Sequence, residues 1–128
     1  MEKIKIMEQG VKKSLDTMDE ILNTDYSIMV RDASIQRFEY CFEITWKFLK
    51  EYLAQKEGIV CNSPKSCFKE AFRLNLISEE QTVLSLDMTD KRNLTSHTYH
   101  EGTAEDIYEN LKEYYEFMMY VYNAIKSQ

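Results

Sequence analysis

The feature that most constrains the fold is the spacing of apolar side chains, which recur at every third or fourth position along most of the chain. Because an α-helix turns once every 3.6 residues, this spacing places such side chains on one face. No segment shows the alternation that is typical of a half-buried strand. The pattern predicts an amphipathic first helix that ends near Asn23, with an apolar stripe of Ile4, Met7, Val11, Leu15, Met18 and Leu22.

A long second helix is predicted to begin at Asp32, a residue type that often caps helix N-termini, and to end at Gly58. Glycine suits the position just past a helix end because it adopts the left-handed backbone conformation at little cost. The apolar residues of this helix again share one face. We interpret them as core: Ile35, Phe38, Phe42, Thr45, Trp46, Leu49 and Leu53.

Capping signals in the middle of the chain predict two further helices. Ser63 followed by Pro64 favours a helix start, because the proline lacks only an N–H that would have no helical partner there. This short third helix is predicted to end at Asn75, a residue type that tolerates the left-handed conformation. Ser78 and Gln81 then match a capping box, which opens a fourth helix.

The C-terminal region is predicted to form one last helix. Gly102 is expected to end the fourth helix, and Thr103 to cap the next one. Apolar residues then repeat at intervals of four and three, a seam suited to packing beside the first helix: Ile107, Leu111, Tyr114, Met118, Val121 and Ile125. Phenols lie on more than one face of this helix, which favours a homodimer interface: Tyr108, Tyr114, Tyr115, Tyr120 and Tyr122.

These patterns together predict an all-α fold, an up-and-down antiparallel bundle of about five helices that associates as a homodimer. A chain of 128 residues, 44% of them hydrophobic, can bury one core. One proline and three glycines leave little punctuation for a β fold with many turns. Residues 1–128 are therefore expected to form a single domain.

Composition also bears on location and partners. The chain has no apolar run of 18 residues, and charges interrupt the apolar residues at the N-terminus, so we expect a cytoplasmic protein with no membrane span. The net charge of −6, from 22 acids and 16 bases, counts against a broad nucleic-acid surface. Sequence-specific binding of duplex DNA is not expected, whereas a local cleft for a few phosphates is compatible with this charge.

The three cysteines predict neither a disulfide framework nor a metal site. Cys41, Cys61 and Cys67 are an odd number in a chain without an export signal, and no histidine lies near them. Cys41 and Cys67 fall in apolar helical runs, where cysteine usually behaves as a small buried hydrophobic residue. We expect no metal and no cofactor.

The chemically richest segment combines Arg92, Asn93, His97 and Tyr99. Arginine can hold a phosphate through two parallel N–H donors, and histidine can transfer a proton near neutral pH. Tyr99 is predicted to share the helix face of Arg92, whereas His97 lies about 140° round the helix from it. The same residues are common in other roles: a solvated arginine, a histidine at a helix end, and a tyrosine that packs.

The motif Arg92-x4-His97-x-Tyr99 resembles the signature of HEPN ribonuclease toxins of the HepT type, which are also known as nucleotidyltransferase substrate-binding proteins. The flanking segments resemble this family as well, over about residues 1 to 125: residues 35–47, Ser63-Pro64, Glu70-Ala71-Phe72, and Arg92-Asn93 to Tyr99-His100-Glu101. The resemblance implies a HEPN-like helical domain.

The resemblance also implies a metal-independent endoribonuclease toxin that cuts RNA and leaves 2′,3′-cyclic phosphate ends. His97 would transfer the proton, Arg92 would stabilise the phosphate, and Asn93 would support either residue or the RNA. Two protomers would bring their motifs together at the dimer interface. The partner would be an MNT-type minimal nucleotidyltransferase, an antitoxin that silences the toxin by AMP transfer to Tyr99.

Two departures from the family pattern concern charge near the motif. Lys91 stands where an acid is expected before the arginine, and His100 stands where an acid is frequent. His100 either shuttles protons or is a solvated residue at a helix end. A second reading of the whole chain also remains open, that of a non-catalytic substrate-binding subunit of a two-component nucleotidyltransferase. A dimeric bundle that only interacts with partners is a third.

Overall fold

The computed structural model describes residues 2–95 and 101–126. Within these ranges the chain forms α-helices and no strand, which confirms the predicted all-α bundle. The second helix, α2, contacts each of the other described helices, and α1 packs beside α6 as the matching seams predict. The helices are α1 (Glu2–Leu22), α2 (Ile28–Glu57), α3 (Pro64–Arg73), α4 (Glu79–Thr95), α5 (Glu101–Glu109) and α6 (Leu111–Ile125).

The core is built on the apolar face of α2. The ring of Phe38 lies 5.3 Å from that of Tyr114 on α6, and Phe42 lies 6.1 Å from Phe68 on α3. All four side chains are fully buried. Each buried aromatic side chain of this kind contributes about 1.5–3 kcal/mol through the area that it removes from water. This face therefore fixes how α3 and α6 sit on α2.

Several predicted helix ends are confirmed. Gly58 has a φ of 67° and Asn75 a φ of 62°, the left-handed conformation expected of both. Ser63 caps α3 and Pro64 is its first residue. Before α4, the Ser78 hydroxyl accepts the backbone N–H of Gln81 at 3.1 Å, and the side-chain carbonyl of Gln81 accepts that of Ser78 at 2.8 Å.

The predicted start of α2 is wrong. The helix begins at Ile28, and Ser27 is its N-cap, because the Ser27 hydroxyl accepts the backbone N–H of Val30 at 3.0 Å. Asp32 lies inside the helix, where its carboxylate pairs with the neighbouring Arg31 at 3.1 Å. Ser27 and Asp32 are both residue types that cap helices, and the structure uses the earlier one.

The single last helix is also wrong, because the chain divides into α5 and α6 at Asn110. The amide of Asn110 donates to the carbonyl oxygen of Asp106 at 2.8 Å, which occupies a backbone group at the end of α5. Gly102 and Thr103, predicted as the stop and the cap, both lie within α5. The apolar seam could not reveal the break, since Ile107 and Leu111 on either side of it are both buried.

Some of the tyrosines taken as a sign of a homodimer interface make contacts within one chain instead. Tyr114, also predicted as part of the packing seam, and Tyr122 belong to the buried core, so neither side chain is available to such an interface. Tyr108 packs edge-on against Tyr26, with ring centroids 5.2 Å apart. Tyr120 is largely exposed. The dimer itself stays a prediction.

The expectation that no disulfide forms is wrong. Cys61 and Cys67 are bonded to each other, with their Cα atoms 5.3 Å apart, so Cys67 is not the free residue predicted. The turn that Ser63 and Pro64 make into α3 brings Cys61 back beside the first turn of that helix. Cys41 is free and buried as expected; burial raises the pKa of its thiol to about 11, and the thiol donates to the carbonyl of Ser14.

No helix among residues 2–95 and 101–126 has both the length and the apolar character needed to cross a membrane.

Candidate functional site

The predicted site residues fall at the end of α4 and just beyond it. Arg92 and Asn93 lie in the last turns of α4; Arg92 is 22% exposed and Asn93 is exposed. His97 and Tyr99, with His100, lie outside the described residues. The predicted positions of the His97 imidazole and the Tyr99 phenol round the helix from Arg92 therefore stay predictions. The contacts of Arg92 with the described part of the chain are as follows.

Two acids of α2 hold the Arg92 guanidinium. Nη1 lies 3.4 Å from Oε2 of Glu39, and Nε lies 3.3 Å from Oε2 of Glu43. The two acids are four positions apart, so one face of α2 presents both. Nη1 also donates to the hydroxyl of Thr95 at 3.3 Å. Both ion-pair distances exceed the 2.7–2.9 Å or so of a strong charge-assisted hydrogen bond. The two acids therefore orient the guanidinium through ion pairs that are weaker than such a bond.

Glu43 is itself oriented by neighbours on α2. The indole N–H of Trp46 donates to Oε1 of Glu43 at 3.3 Å, and the ammonium of Lys47 lies 3.7 Å from the same oxygen. Oε2 remains directed toward Arg92. Glu39 and Glu43 lie in a segment that resembles the family, but no role was predicted for them. The signal available in the sequence was two acids four positions apart beside the apolar face of α2.

Lys91, the neighbour of Arg92, pairs with one acid of its own helix and with one acid of α5. Its ammonium lies 3.1 Å from Asp87 on α4 and 2.9 Å from Asp106 on α5. The hydrogen bond to Asp106, followed by that to Asp87, raises the pKa of Lys91. The phenol of Tyr114 donates to the other oxygen of Asp87, and burial raises the pKa of this phenol. Lys91 therefore joins α4 to α5 and adds little to the charge near Arg92.

A second arginine, Arg31 of α2, holds the beginning of α5. Its side chain is only 3% exposed, and its guanidinium lies 2.7 Å from Glu101 and 2.8 Å from Glu105. Asp32 lies 3.1 Å away, and the phenol of Tyr26 donates to Glu105 at 2.9 Å. The hydrogen bond from Arg31, followed by that from Tyr26, lowers the pKa of Glu105. This cluster was not predicted from the sequence, because Arg31 lies 70 positions from Glu101 and 74 from Glu105.

The remaining features carry no evident chemistry. A small cavity between α2, α3 and α6 has an apolar lining of Leu49, Ala71, Leu76, Ile77, Val121, Ala124 and Ile125. Within the described ranges, no three histidine, cysteine or carboxylate side chains are placed to share a metal ion. The described part of the predicted site thus consists of Arg92 with its two acids and the exposed Asn93.

Comparisons with known proteins bear on both fold and family. The family model "Nucleotidyltransferase substrate binding protein like" matches residues 3–127. A probable ribonuclease HepT of Haemophilus influenzae is 31% identical over 86 residues, which are 64% of this chain and 58% of that protein. The chain therefore matches less than two thirds of the length of this relative.

Three solved structures share the fold. A Thermus thermophilus protein is 41% identical, with a TM-score of 0.86 over 91% of this chain and 98% of its own. A mutant MntA–HpeT toxin–antitoxin structure is 16% identical, with a TM-score of 0.81 over the whole of both chains. A tri-AMPylated Shewanella oneidensis HEPN toxin in complex with MNT antitoxin is 16% identical, with a TM-score of 0.79 over 98% of this chain and 97% of its own. The family resemblance predicted from the sequence is confirmed.

Proposed function

This chain belongs to the nucleotidyltransferase substrate binding protein like family, and we propose that it is a metal-independent endoribonuclease, the toxin of a HEPN/MNT toxin–antitoxin pair. One observation carries the proposal most. Arg92, five positions before His97, is held in a defined orientation by Glu39 and Glu43 instead of extending freely into solvent. The ribonuclease name of the Haemophilus influenzae relative supports the reaction class.

The reaction needs few groups, because RNA supplies its own nucleophile. The 2′-oxygen attacks the adjacent phosphorus and loses its proton, while the bond from phosphorus to the 5′-oxygen breaks and that oxygen gains a proton. The products are a 2′,3′-cyclic phosphate and a 5′-hydroxyl. His97 transfers a proton in this scheme, and the guanidinium of Arg92 stabilises the charge that gathers on the phosphoryl oxygens. The amide of Asn93, which is exposed beside Arg92, orients the RNA.

A homodimer completes the scheme, because it brings a second His97 to the same cleft. One imidazole then accepts the proton of the 2′-hydroxyl while the other donates to the leaving oxygen. Dimerisation also doubles the number of arginines available to bind phosphate in a chain of net charge −6. Light scattering on the purified protein at micromolar concentration measures the oligomeric state directly.

Tyr99 is proposed as the site at which the partner nucleotidyltransferase silences the toxin. Its phenolic oxygen attacks the α-phosphorus of ATP, the bond to pyrophosphate breaks, and the phenol proton leaves to solvent. The attached AMP places a negative phosphate near Arg92, where it competes with RNA for the cation. The neighbouring Shewanella oneidensis structure is of an AMPylated HEPN toxin with MNT antitoxin, which supports this kind of partner.

The test is cleavage of a mixture of tRNA and mRNA by the purified, unmodified protein in EDTA. We expect cleavage that leaves 2′,3′-cyclic phosphate ends, and its loss in both His97→Ala and Arg92→Ala. Mass spectrometry first establishes that Tyr99 carries no adduct. A folded, unmodified protein that leaves both RNAs intact would contradict the ribonuclease proposal.

A second candidate function is a non-catalytic subunit that binds substrate for a separate nucleotidyltransferase. The family description favours it, whereas the pairing of Arg92 with two acids is compatible with both functions. A growth test distinguishes the two functions. Growth arrest on expression, relieved by His97→Ala, supports the toxin; unimpaired growth with unmodified protein supports the subunit.

A further inference from the structure

We infer that Arg31 is a positioning residue for the proposed catalytic segment, because its ion pairs with Glu101 and Glu105 fasten the far end of that segment to α2. The inference rests on the proposed ribonuclease function. It concerns a residue that lies outside the Arg92-x4-His97-x-Tyr99 motif and 61 positions before Arg92. Arg31 contacts neither substrate nor reacting atoms in this role and acts through α5.

Two opposite charge arrangements on α2 hold the two ends of the segment. Glu39 and Glu43 hold Arg92 on α4, and Arg31 holds Glu101 and Glu105 on α5. Glu39 and Glu43 are four positions apart and share a face of α2, whereas Arg31 is eight positions before Glu39, about 80° round the helix. Arg31 and Glu39 are about 12 Å apart along the axis, at 1.5 Å per residue.

The intervening chain is long enough to need both anchors. Five residues lie between Thr95, which ends α4, and Glu101, which begins α5, and this length of chain can extend to about 20 Å, more than the 12 Å or so between the anchors on α2. His97 is five positions after Arg92 and four before Glu101. Arg92 alone therefore does not fix where the imidazole lies, whereas two anchored ends restrict it. Proton transfer depends on this position more than phosphate binding does.

The cluster has the features of a specific anchor. An arginine that is 3% exposed loses most of its hydration, so it needs its carboxylate partners to stay charged at low cost. The two carboxylate side chains are more exposed to solvent than the arginine, Glu101 at 71% and Glu105 at 39%. If Arg31 is replaced, both carboxylates can be hydrated, and α5 keeps its buried residues Ala104 and Ile107. Arg31→Gln is therefore expected to fold. The double variant Glu101→Gln/Glu105→Gln keeps the carboxylate of Asp32 3.1 Å from Arg31, and its two amide oxygens can still accept hydrogen bonds from the guanidinium.

The primary test is steady-state cleavage of a single-stranded RNA oligonucleotide by Arg31→Gln and by the double variant Glu101→Gln/Glu105→Gln. We expect kcat to fall by about tenfold or more in both, with KM within about twofold of the wild type, as for misplacement of a reacting group. Arg31→Lys keeps the charge but cannot bond both acids in the same way, so it should recover part of kcat.

The matched control is Arg37→Gln. Arg37 lies on the same helix and pairs with Glu20 at 3.0 Å, but this pair joins α2 to α1, away from α5. It should leave kcat and KM unchanged. An equal fall of kcat in Arg37→Gln would overturn the inference, and so would a change confined to KM in Arg31→Gln.

Amide hydrogen exchange separates this inference from the proposed function. We expect exchange of residues 96–105 to be about tenfold faster in Arg31→Gln than in the wild type, with α6 unchanged. If the wild-type protein cleaves no RNA, the proposed function fails, and the exchange rates still decide whether Arg31 anchors the segment. Unchanged exchange of residues 96–105 would overturn the anchoring.

Discussion

Replacement of Glu43 by glutamine should strengthen the binding of RNA to Arg92. A glutamine side chain has nearly the same shape as glutamate, and its amide oxygen can accept the hydrogen bond that the indole N–H of Trp46 donates to Glu43. The substitution therefore removes one negative charge 3.3 Å from the guanidinium while the local geometry is kept. The phosphate of a bound RNA then meets less repulsion.

The magnitude follows from Coulomb's law. A phosphate on the outer edge of the Arg92 guanidinium would lie roughly 7 Å from the Glu43 carboxylate, which gives about 0.6 kcal/mol of repulsion in bulk water and about 2.4 kcal/mol at an effective dielectric of about 20. The Glu43 side chain is 34% exposed, so solvent screens part of this energy. We therefore expect about 1 kcal/mol, which is a fivefold or so lower Kd.

The assay is fluorescence anisotropy with a labelled single-stranded RNA in EDTA. His97→Ala serves as the background, so that no cleavage occurs during titration. The gain in affinity should be present at about 50 mM salt and much smaller at about 500 mM, because salt screens exposed charges. The control is Glu57→Gln, at the end of α2 and 14 positions from Glu43, about 21 Å along the helix. It changes the net charge equally but should leave Kd unchanged.

Two results would refute this reasoning. Equal gains in Glu43→Gln and Glu57→Gln would mean that only net charge matters and that Arg92 is not the phosphate contact. Weaker RNA binding by a folded Glu43→Gln protein would mean that the carboxylate is needed to orient the arginine, and that this need outweighs repulsion.

Three further predictions concern stability. Reduction of the disulfide between Cys61 and Cys67 should lower the free energy of unfolding by about 2 kcal/mol, because this bond closes a short loop. Urea titration with and without dithiothreitol measures the change. A Cys61→Ala/Cys67→Ala protein should not respond to the reductant. Phe42→Ala should cost about 3–5 kcal/mol by the same titration, whereas a loss below about 1 kcal/mol would contradict its place in the core. The pKa of Glu105 is lowered in the folded state, so this carboxylate stabilises the fold above the ordinary carboxyl pKa, and the stabilisation is lost as the pH falls through the folded pKa. The free energy of unfolding of Glu105→Gln should therefore depend less on pH between about 6 and 3 than that of the wild type. An unchanged pH dependence would count against the pair with Arg31.

The sequence was sufficient for the helical architecture, because helix formation and capping depend on residues close together in the chain. The apolar spacing of α1 and α2, the left-handed positions at Gly58 and Asn75, and the capping pair of Ser78 and Gln81 are all local signals. The same locality explains the errors. Ser27 and Asp32 offer equivalent caps, and an apolar seam continues unchanged across a helix break at Asn110.

The sequence by itself also determined which residue types are available for chemistry, and the family to which they belong. Only the tertiary structure decided which charges meet. From the sequence alone, Glu39 and Glu43 could have faced solvent, and Lys91 could have been a second cation beside Arg92. In the structure α4 packs against α2, so that both acids pair with Arg92, while Lys91 pairs with Asp106 on α5. Arg31 and Glu105 are 74 positions apart, so no local pattern could pair them. Such contacts form because burial of the apolar faces decides how the helices pack, and each charged side chain pairs with an opposite charge that this packing brings within reach.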